Sequence, residues 1–202
     1  MVVLRNKAPK YGFEFQLFAA SYRLRVSNYR LVSMGQGTNP GSLALNDLIQ
    51  TIDKQHMTLE EVKRWTASRP TLADALGIEI SAVGDGYLEG RMPVDGRTHQ
   101  PMGLLHGGAS VALAETLGSI AAALRLPDRT TQACVGLEIN ANHLKGVRDG
   151  WVRGRATPVH VGRSTQVWEI RISHEETGAL VCISRITMAV IDLPAPSASP
   201  AP

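Results

Sequence analysis

The stretch from Gly107 to Leu124 constrains the fold more than any other part of the sequence. It holds 18 residues, mostly small or apolar, and Glu115 is its single charged side chain. No proline interrupts it, and Arg125 and Pro127 follow it, which predicts a helix. Apolar residues lie on nearly every face, as is typical of a buried helix. Because burying a carboxylate is costly unless the group is paired or functional, Glu115 is the main functional clue.

Composition and charge then limit the function classes. The chain has 202 residues, of which 44% are hydrophobic, and this fits one globular domain with tails. We interpret the apolar helix as a core helix and not a membrane span, because Glu115, Gly118 and several hydroxyl residues interrupt it. The net charge of +3 divides into +4 on residues 1–56 (seven basic, three acidic) and −1 on residues 57–202 (fourteen basic, fifteen acidic). The main domain therefore lacks a nucleic-acid-type basic excess, and we expect neither a nucleic-acid nor a membrane partner.

The charge division suggests three parts. Residues 1–56 form a basic N-terminal extension that we expect to be poorly ordered, apart from a short helix over 43–53. Residues 57–192 form the main domain, and residues 193–202 form a tail rich in Pro, Ala and Ser that we expect to be disordered. The extension has no uninterrupted apolar segment of a secretory signal. Three origins remain open for it: a functional extension, a transit peptide, or a start codon placed too far upstream.

The two cysteines bear on the compartment. Cys134 and Cys182 lie in apolar runs, and neither has a CxxC neighbour or a local histidine cluster. This pattern predicts two free thiols in a reducing compartment. We therefore expect a cytoplasmic protein without a disulfide framework.

The periodicity of the main domain predicts short helices, one long helix and several strands. Thr58 and Thr71 each precede a short helical segment, 58–67 and 71–76. Strands are predicted by alternating apolar and polar residues over 78–84, 87–94, 131–144, 150–161, 164–173 and 179–191.

These elements predict an α+β fold class. A single apolar helix can be hidden only by a sheet that curves around it, so we expect an antiparallel sheet wrapped around one long central helix. Consecutive strands after the helix can meander antiparallel. Such a sheet leaves an edge uncovered, which predicts dimerisation through edge pairing.

Candidate catalytic groups lie on and just before the long helix. Ser119 is one helical turn after Glu115 and shares its face. His106, Gly107 and Gly108 mark the start of the helix, where free backbone N–H groups and the helix dipole can polarise a carbonyl or hold an oxyanion. The two glycines let a ligand approach the backbone closely.

The spacing of these groups predicts a site shared between two chains. Nine helical residues separate His106 from Glu115, which corresponds to about 13.5 Å along the axis. One small reaction centre cannot touch both groups of the same chain. Gln100, just before the helix, could add an amide donor. The scattered histidines lack the spacing of metal ligands, and the sequence has neither a GxSxG elbow nor a phosphate P-loop.

Three segments together resemble a known family. QPMGLLHGGASVALAETLGS, VGLEINANHL and PVHVGRSTQVWEI are similar to segments of the hotdog-fold acyl-CoA thioesterases of the PaaI type. The resemblance is to the branch that includes 1,4-dihydroxy-2-naphthoyl-CoA hydrolases and the enterobactin-pathway proofreading thioesterases. It covers roughly residues 57–191. It implies the hotdog fold, acyl- or aryl-CoA substrates, and homodimers that usually pair into tetramers with active sites at the dimer interface.

The resemblance also implies roles for individual residues. Glu115 corresponds to the catalytic carboxylate, acting as nucleophile or as general base on water, with Ser119 as a polar partner. Gly107 N–H corresponds to the donor to the thioester carbonyl, supported by Gln100 and His106 from the opposite chain. The positions that contact substrate correspond to Gly136, His143, Leu144, Lys145, Gly146, His160, Val161, Gly162, Arg163, Ser164 and Thr165. Relatives often have Arg-Ser at the Lys145-Gly146 pair. No metal or cofactor is implied, because coenzyme A is part of the substrate.

Two other functions remain open. One is a hotdog-fold dehydratase or hydratase acting on acyl thioesters, and the other is a non-catalytic acyl-CoA-binding protein. Free thiol release would distinguish hydrolysis from both. The sequence does not identify the acyl group, and Met102, Leu117 and Ile120 are candidates for the lining of its pocket.

Overall fold

A computed structural model describes residues 57–194 with their side chains and, by backbone alone, four short N-terminal strands. The chain divides into two units, Met1–Gln50 and Thr51–Pro202, each described here by itself. The first contains Val3–Lys7 (β1), Glu14–Ala19 (β2), Tyr22–Ser27 (β3) and Arg30–Ser33 (β4), antiparallel in the order β1-β2-β3-β4. The sequence analysis did not predict these strands. The predicted helix over 43–53 and most of the predicted tail lie outside the described residues, and the three-part division stays a prediction.

The second unit begins with two short helices that are fixed by their caps. They are Leu59–Thr66 (α1) and Leu72–Leu76 (α2). The Thr58 backbone N–H donates to the Glu61 carboxylate at 2.7 Å, and the Glu61 N–H donates back to the Thr58 hydroxyl at 3.3 Å. Thr71 and Asp74 form the same reciprocal pair before α2. Both helices therefore start where the sequence predicted, since each pair satisfies backbone donors that the helix leaves free.

Six antiparallel strands form the sheet of this unit. They are Glu79–Gly84 (β5), Tyr87–Pro93 (β6), Gln132–His143 (β7), Trp151–Val161 (β8), Thr165–His174 (β9) and Leu180–Asp192 (β10). Their order is β5-β6-β8-β9-β10-β7. The predicted strands are thus confirmed, but the simple meander is not: β7 pairs with β10 at the far edge, and only β8, β9 and β10 meander. β6 and β9 occupy the two sides of β8, and β7 pairs antiparallel with the outer side of β10.

The long helix Gly107–Leu124 (α3) has the bounds that the sequence predicted. Its buried residues form one stripe that faces the sheet, namely Ala109, Ser110, Leu113, Ala114, Leu117, Gly118, Ala121 and Ala122. The predicted core helix is confirmed, and in the single chain the sheet covers one side while the side with Glu115 and Ser119 is half-buried. The helix has the length and mean hydropathy (1.3) of a membrane span, but 44% of it is buried inside the domain. It is the core helix of an α+β sheet wrapped around a single helix.

Close packing of α3 depends on positions without a side chain. A Cβ atom at Gly118 would lie 2.5 Å from Ile186 of β10, so the glycine lets the helix approach the sheet. Leu117 fills the space above Gly90 and Gly154, where added Cβ atoms would lie 2.8 and 2.6 Å from its methyl groups. The helix axis is therefore held at a fixed height over β6, β8 and β10.

A buried glutamine ties the end of α3 to the sheet. Gln166 of β9 is 1% exposed, its amide donates to the Ala122 carbonyl at 3.2 Å, and its oxygen accepts the Trp168 indole N–H at 2.9 Å. We expect Gln166→Ala to lower the free energy of unfolding by about 2–4 kcal/mol, because it leaves the buried Trp168 indole N–H without a partner, removes one of two donors to the Ala122 carbonyl and creates a cavity. Urea unfolding of both proteins measures the change.

The control for this prediction is Gln132→Ala at the outer end of β7, where the amide makes a 3.3 Å contact with Asp192 in an exposed pair. We expect that variant to stay within about 0.5 kcal/mol of the unmodified protein. Equal urea midpoints for the two variants would show that Gln166 does not hold the helix end.

Candidate active site

Glu115 is held in place by a hydroxyl group one turn further along α3. The Ser119 hydroxyl donates to Glu115 Oε1 at 2.9 Å. Gly136 of the edge strand β7 faces the same carboxylate, and a Cβ atom there would lie 3.3 Å from Oε1. The missing side chain at Gly136 thus leaves room in front of the carboxylate. The structure brings together three of the predicted site residues: Glu115, Ser119 and Gly136.

The start of α3 presents a backbone donor. His106 is the N-cap residue, and its Nδ1 accepts the Gly108 N–H at 2.8 Å. Because Nδ1 is an acceptor, the neutral ring carries its proton on Nε2. Gly107 is the first helical residue, and its N–H has no acceptor within the described part of the chain. This N–H is available to a ligand at the positive end of the helix dipole.

A cavity of about 340 Å³, which we call the helix-start cavity, opens next to Gly107. The His143 ring closes over Gly107, and a Cβ atom at Gly107 would lie 2.8 Å from its Nε2. The lining residues are Gln100, Leu104, Leu105, Gly107, Ser110, His143, Leu144, Lys145, Gly146 and Val181. The structure thus brings two predicted catalytic residues and four predicted substrate-binding residues to one cavity.

Gln100 is oriented by the turn in which it lies. Its side-chain oxygen accepts the Met102 backbone N–H, its own N–H donates to the Leu104 carbonyl at 2.8 Å, and its carbonyl accepts the Gly103 N–H at 2.9 Å. The positive φ of Gly103, 69°, closes this turn, and a side chain there would be strained. Since the amide oxygen is occupied, the Gln100 NH₂ group is the part left to donate to a ligand.

A second cavity, of about 600 Å³, lies on the half-buried side of α3 beyond Ser119. We call it the helix-end cavity. Its lining is mainly apolar, from Met57, Trp65, Ser119, Ile120, Ala123, Leu126, Arg129, Gln132, Ala133, Cys134 and Leu193. Burial raises the pKa of the Cys134 thiol, so this wall of the cavity is uncharged near neutral pH. The volume is within the range of small-molecule sites in proteins.

The three residues expected to line an acyl pocket have different surroundings in the structure. Ile120 lines the helix-end cavity. Leu117 is fully buried in the core, and Met102 is 76% exposed and borders neither cavity. The sequence analysis did not identify Met57, Trp65 and Cys134, which line the helix-end cavity. Trp65 on the amphipathic helix α1 was the one detectable signal, whereas nothing local to Met57 or Cys134 indicates that they meet at a cavity.

The remaining predicted residues lie elsewhere in the single chain. His160, Val161, Gly162, Arg163, Ser164 and Thr165 form the turn between β8 and β9. This turn is closed by the Gly162 N–H, which donates to the Thr165 carbonyl at 2.9 Å, and none of its residues lines either cavity. Glu115 lines neither cavity, and Ser119, which donates to it, lines the helix-end cavity. Within residues 57–194, no group of three His, Cys, Asp or Glu side chains could hold a metal ion.

Comparison with known proteins assigns this fold to a family. A family model described as the thioesterase superfamily matches residues 102–181. The chain is 53% identical over 138 residues to the proofreading thioesterase EntH of Cronobacter turicensis, covering 68% of this chain and 97% of that protein. A crystal structure of a thioesterase from Haemophilus influenzae superposes with a TM-score of 0.64 at 50% identity, covering 71% and 96% of the two chains.

A more distant solved structure has the same fold. The Escherichia coli PaaI protein from the phenylacetic acid degradation operon superposes with a TM-score of 0.58 at 22% identity, over 66% of this chain and 93% of that one. At this identity the likeness concerns the fold alone. Together the comparisons confirm the predicted family and the hotdog fold.

Proposed function

This chain belongs to the thioesterase superfamily of thioester hydrolases, and from that membership we propose that it hydrolyses an aryl- or acyl-CoA thioester to the free acid and CoA. The observation that carries the proposal is the Glu115 carboxylate, which accepts a hydrogen bond from Ser119, and Ser119 in turn lines a mainly apolar cavity of about 600 Å³. An acyl group in that cavity would present its thioester to the carboxylate. The acyl group itself is either aromatic or aliphatic.

Glu115 supplies the attacking group in this proposal. The carboxylate either attacks the thioester carbon itself or takes a proton from a water molecule that does so. In both routes the carbon–sulfur bond breaks and CoA leaves as a thiol after taking up a proton. In the first route the acyl group is then bound to Glu115 as an anhydride, which a water molecule hydrolyses to the free acid and the carboxylate. The 2.9 Å hydrogen bond from Ser119 supports both routes, since it fixes Oε1 and leaves Oε2 free to act.

The developing negative charge on the carbonyl oxygen needs donors. Gly107 N–H, at the start of α3, and the free NH₂ group of Gln100 border the same cavity. Two such donors stabilise a tetrahedral oxyanion, and the loss of one typically lowers the rate by about 10²- to 10³-fold. His106 supports them indirectly, because its ring holds the Gly108 N–H and thereby orders the first turn.

These donors and Glu115 would act together only if the site is shared by two chains. The two cavities are separate in one chain, and about 13.5 Å of helix separates His106 from Glu115. The outer edge of β7 supports a dimer: it is the last strand of the sheet, and its Leu137 side chain is 61% exposed. Long edge strands with exposed apolar residues pair readily with another chain. We propose a homodimer through β7, assembled further into a dimer of dimers.

The CoA portion would lie along two exposed basic residues. Lys145 lines the helix-start cavity, and Arg163 lies in the turn between β8 and β9. Their charges suit the phosphates of CoA. The turn at residues 160–165 lines neither cavity of its own chain, so in this proposal it meets the substrate bound at a neighbouring chain.

The test is thiol release from a panel of thioesters. We expect the purified protein to release free CoA from at least one of an aryl-, a naphthoyl- and an alkyl-CoA series, measured with a thiol reagent. Binding without thiol release would favour a non-catalytic acyl-CoA-binding protein. Hydration of an enoyl-CoA without thiol release would favour a hydratase.

A further inference from the structure

A third cavity lies on the other side of the last turn of α3. It has a volume of about 220 Å³ and lies between this turn and the β5–β6 hairpin, with Leu88, Leu124 and Trp168 among its apolar walls. We call it the inner cavity. No predicted site residue lines it. Two side chains, Met57 and Leu126, line both this cavity and the helix-end cavity.

The two shared side chains differ in burial and in shape. Leu126 is 5% exposed, and its backbone N–H donates to the Ala123 carbonyl at 3.2 Å, so it is part of the helix end. Met57 lies just before the N-cap of α1 and is half-buried. Its side chain is unbranched and has three rotatable bonds, so it can take several positions between the two spaces. Met57 is therefore the variable part of the wall.

We propose that Met57 sets the length of acyl group that the enzyme accepts, with the inner cavity as an unused extension of the acyl pocket. The inference rests on the proposed thioesterase function. In this proposal an acyl group enters past Ser119, which holds Glu115, and extends along Ile120 and Ala123 toward Met57 and Leu126. Beyond Met57 the walls are mainly apolar, and their one charged side chain, Arg125, is paired with Asp85 at 3.5 Å, which suits a longer aliphatic or aromatic group.

A different cavity next to the helix-end cavity is less suitable for a longer acyl group. A cavity of about 290 Å³ adjoins the helix-end cavity through Ile120, but Lys63, Asp74 and Glu79 line it. An apolar chain placed there would desolvate charged groups without pairing them. The direction past Met57 is thus the favourable one.

The experiment compares chain-length profiles of kcat/KM for straight-chain acyl-CoA thioesters in the full-length protein and in variants. We expect Met57→Ala to move the optimum to longer chains, with a gain of about fourfold per methylene that reaches the inner cavity. Met57→Phe should fill the shared wall and shorten the preferred chain. Leu72→Ala is the matched control, since Leu72 is 64% exposed on α2 and lines none of the cavities.

The outcomes separate this inference from the function on which it rests. If the unmodified protein releases no thiol from any substrate, the proposed function fails. If it does release thiol and the profiles of Met57→Ala and Leu72→Ala coincide, the role of Met57 is wrong. Should Met57→Ala not fold, Met57→Phe decides: a folded Met57→Phe protein with an unchanged profile also overturns the inference.

Discussion

Alanine in place of Glu115 is expected to abolish thioester hydrolysis, with a loss of roughly 10²- to 10⁴-fold or more in kcat, because the carboxylate is the proposed nucleophile or general base. The loss of activity in Glu115→Gln should be less complete, since the amide keeps the hydrogen bond from Ser119 but lacks the basicity of the carboxylate. Steady-state thiol release measures both. The side chain is half-buried and makes one hydrogen bond, so the fold should survive the change.

A carboxylate away from both cavities and from β7 provides the control. Glu176 is exposed in the turn between β9 and β10 and lines none of the cavities described. We expect Glu176→Ala to keep near-normal activity. Circular dichroism should give matching spectra and melting temperatures for both alanine variants. Full activity in purified, folded Glu115→Ala would exclude the proposed role.

The second large effect concerns the division of the site between chains. Gly107→Ala should lose about 10²- to 10³-fold in rate, because the new Cβ atom would lie 2.8 Å from His143 and disturb the donor at the helix start. The His143 ring is a movable neighbour, so the variant should fold.

When Gly107→Ala and Glu115→Ala are mixed and allowed to exchange chains, each mixed dimer regains one intact site. Random exchange should restore about a quarter of the unmodified activity.

The mixing experiment needs proof that chains exchange. Distinct mass tags on the two variants allow native mass spectrometry to count mixed dimers before the assay. Each variant incubated alone serves as the blank. Mixed dimers without recovered activity would place the complete site within one chain and contradict the shared arrangement.

The sequence predicted the elements of the main domain closely because their signals are local. The bounds of α3 follow from an unbroken apolar run that ends at Arg125, and the short helices follow from Thr58 and Thr71 with their acidic partners. The place of β7 could not be predicted in the same way. Which strand pairs with the free edge of β10 depends on the assembled sheet and not on the composition of β7.

The candidate site was predictable in part for the same reason. Glu115 was identifiable as a charge in an apolar helix, and Ser119 follows from helical spacing. The family resemblance, and not the spacing of residues, predicted that Gly107 and residues 143–146 belong to one site. The structure brings them to one cavity. The walls of the helix-end cavity come from α1, α3 and β7, so no single stretch of sequence reveals them.

The contact of Leu117 with Gly90 and Gly154 limits how this chain can change in evolution. A methyl group at Gly154 would lie 2.6 Å from Leu117, so it requires a smaller residue at 117 at the same time, whereas one at Gly90 would also lie 2.9 Å from the Glu79 carbonyl oxygen and is disfavoured whatever residue is at 117. Leu117 is two residues from Glu115, and a shift of the helix that relieved the clash would also move the carboxylate. Substitutions at Gly154 and Leu117 should therefore occur together in descendants of this sequence, and a change at Gly154 alone should be lost through selection on activity as much as on stability.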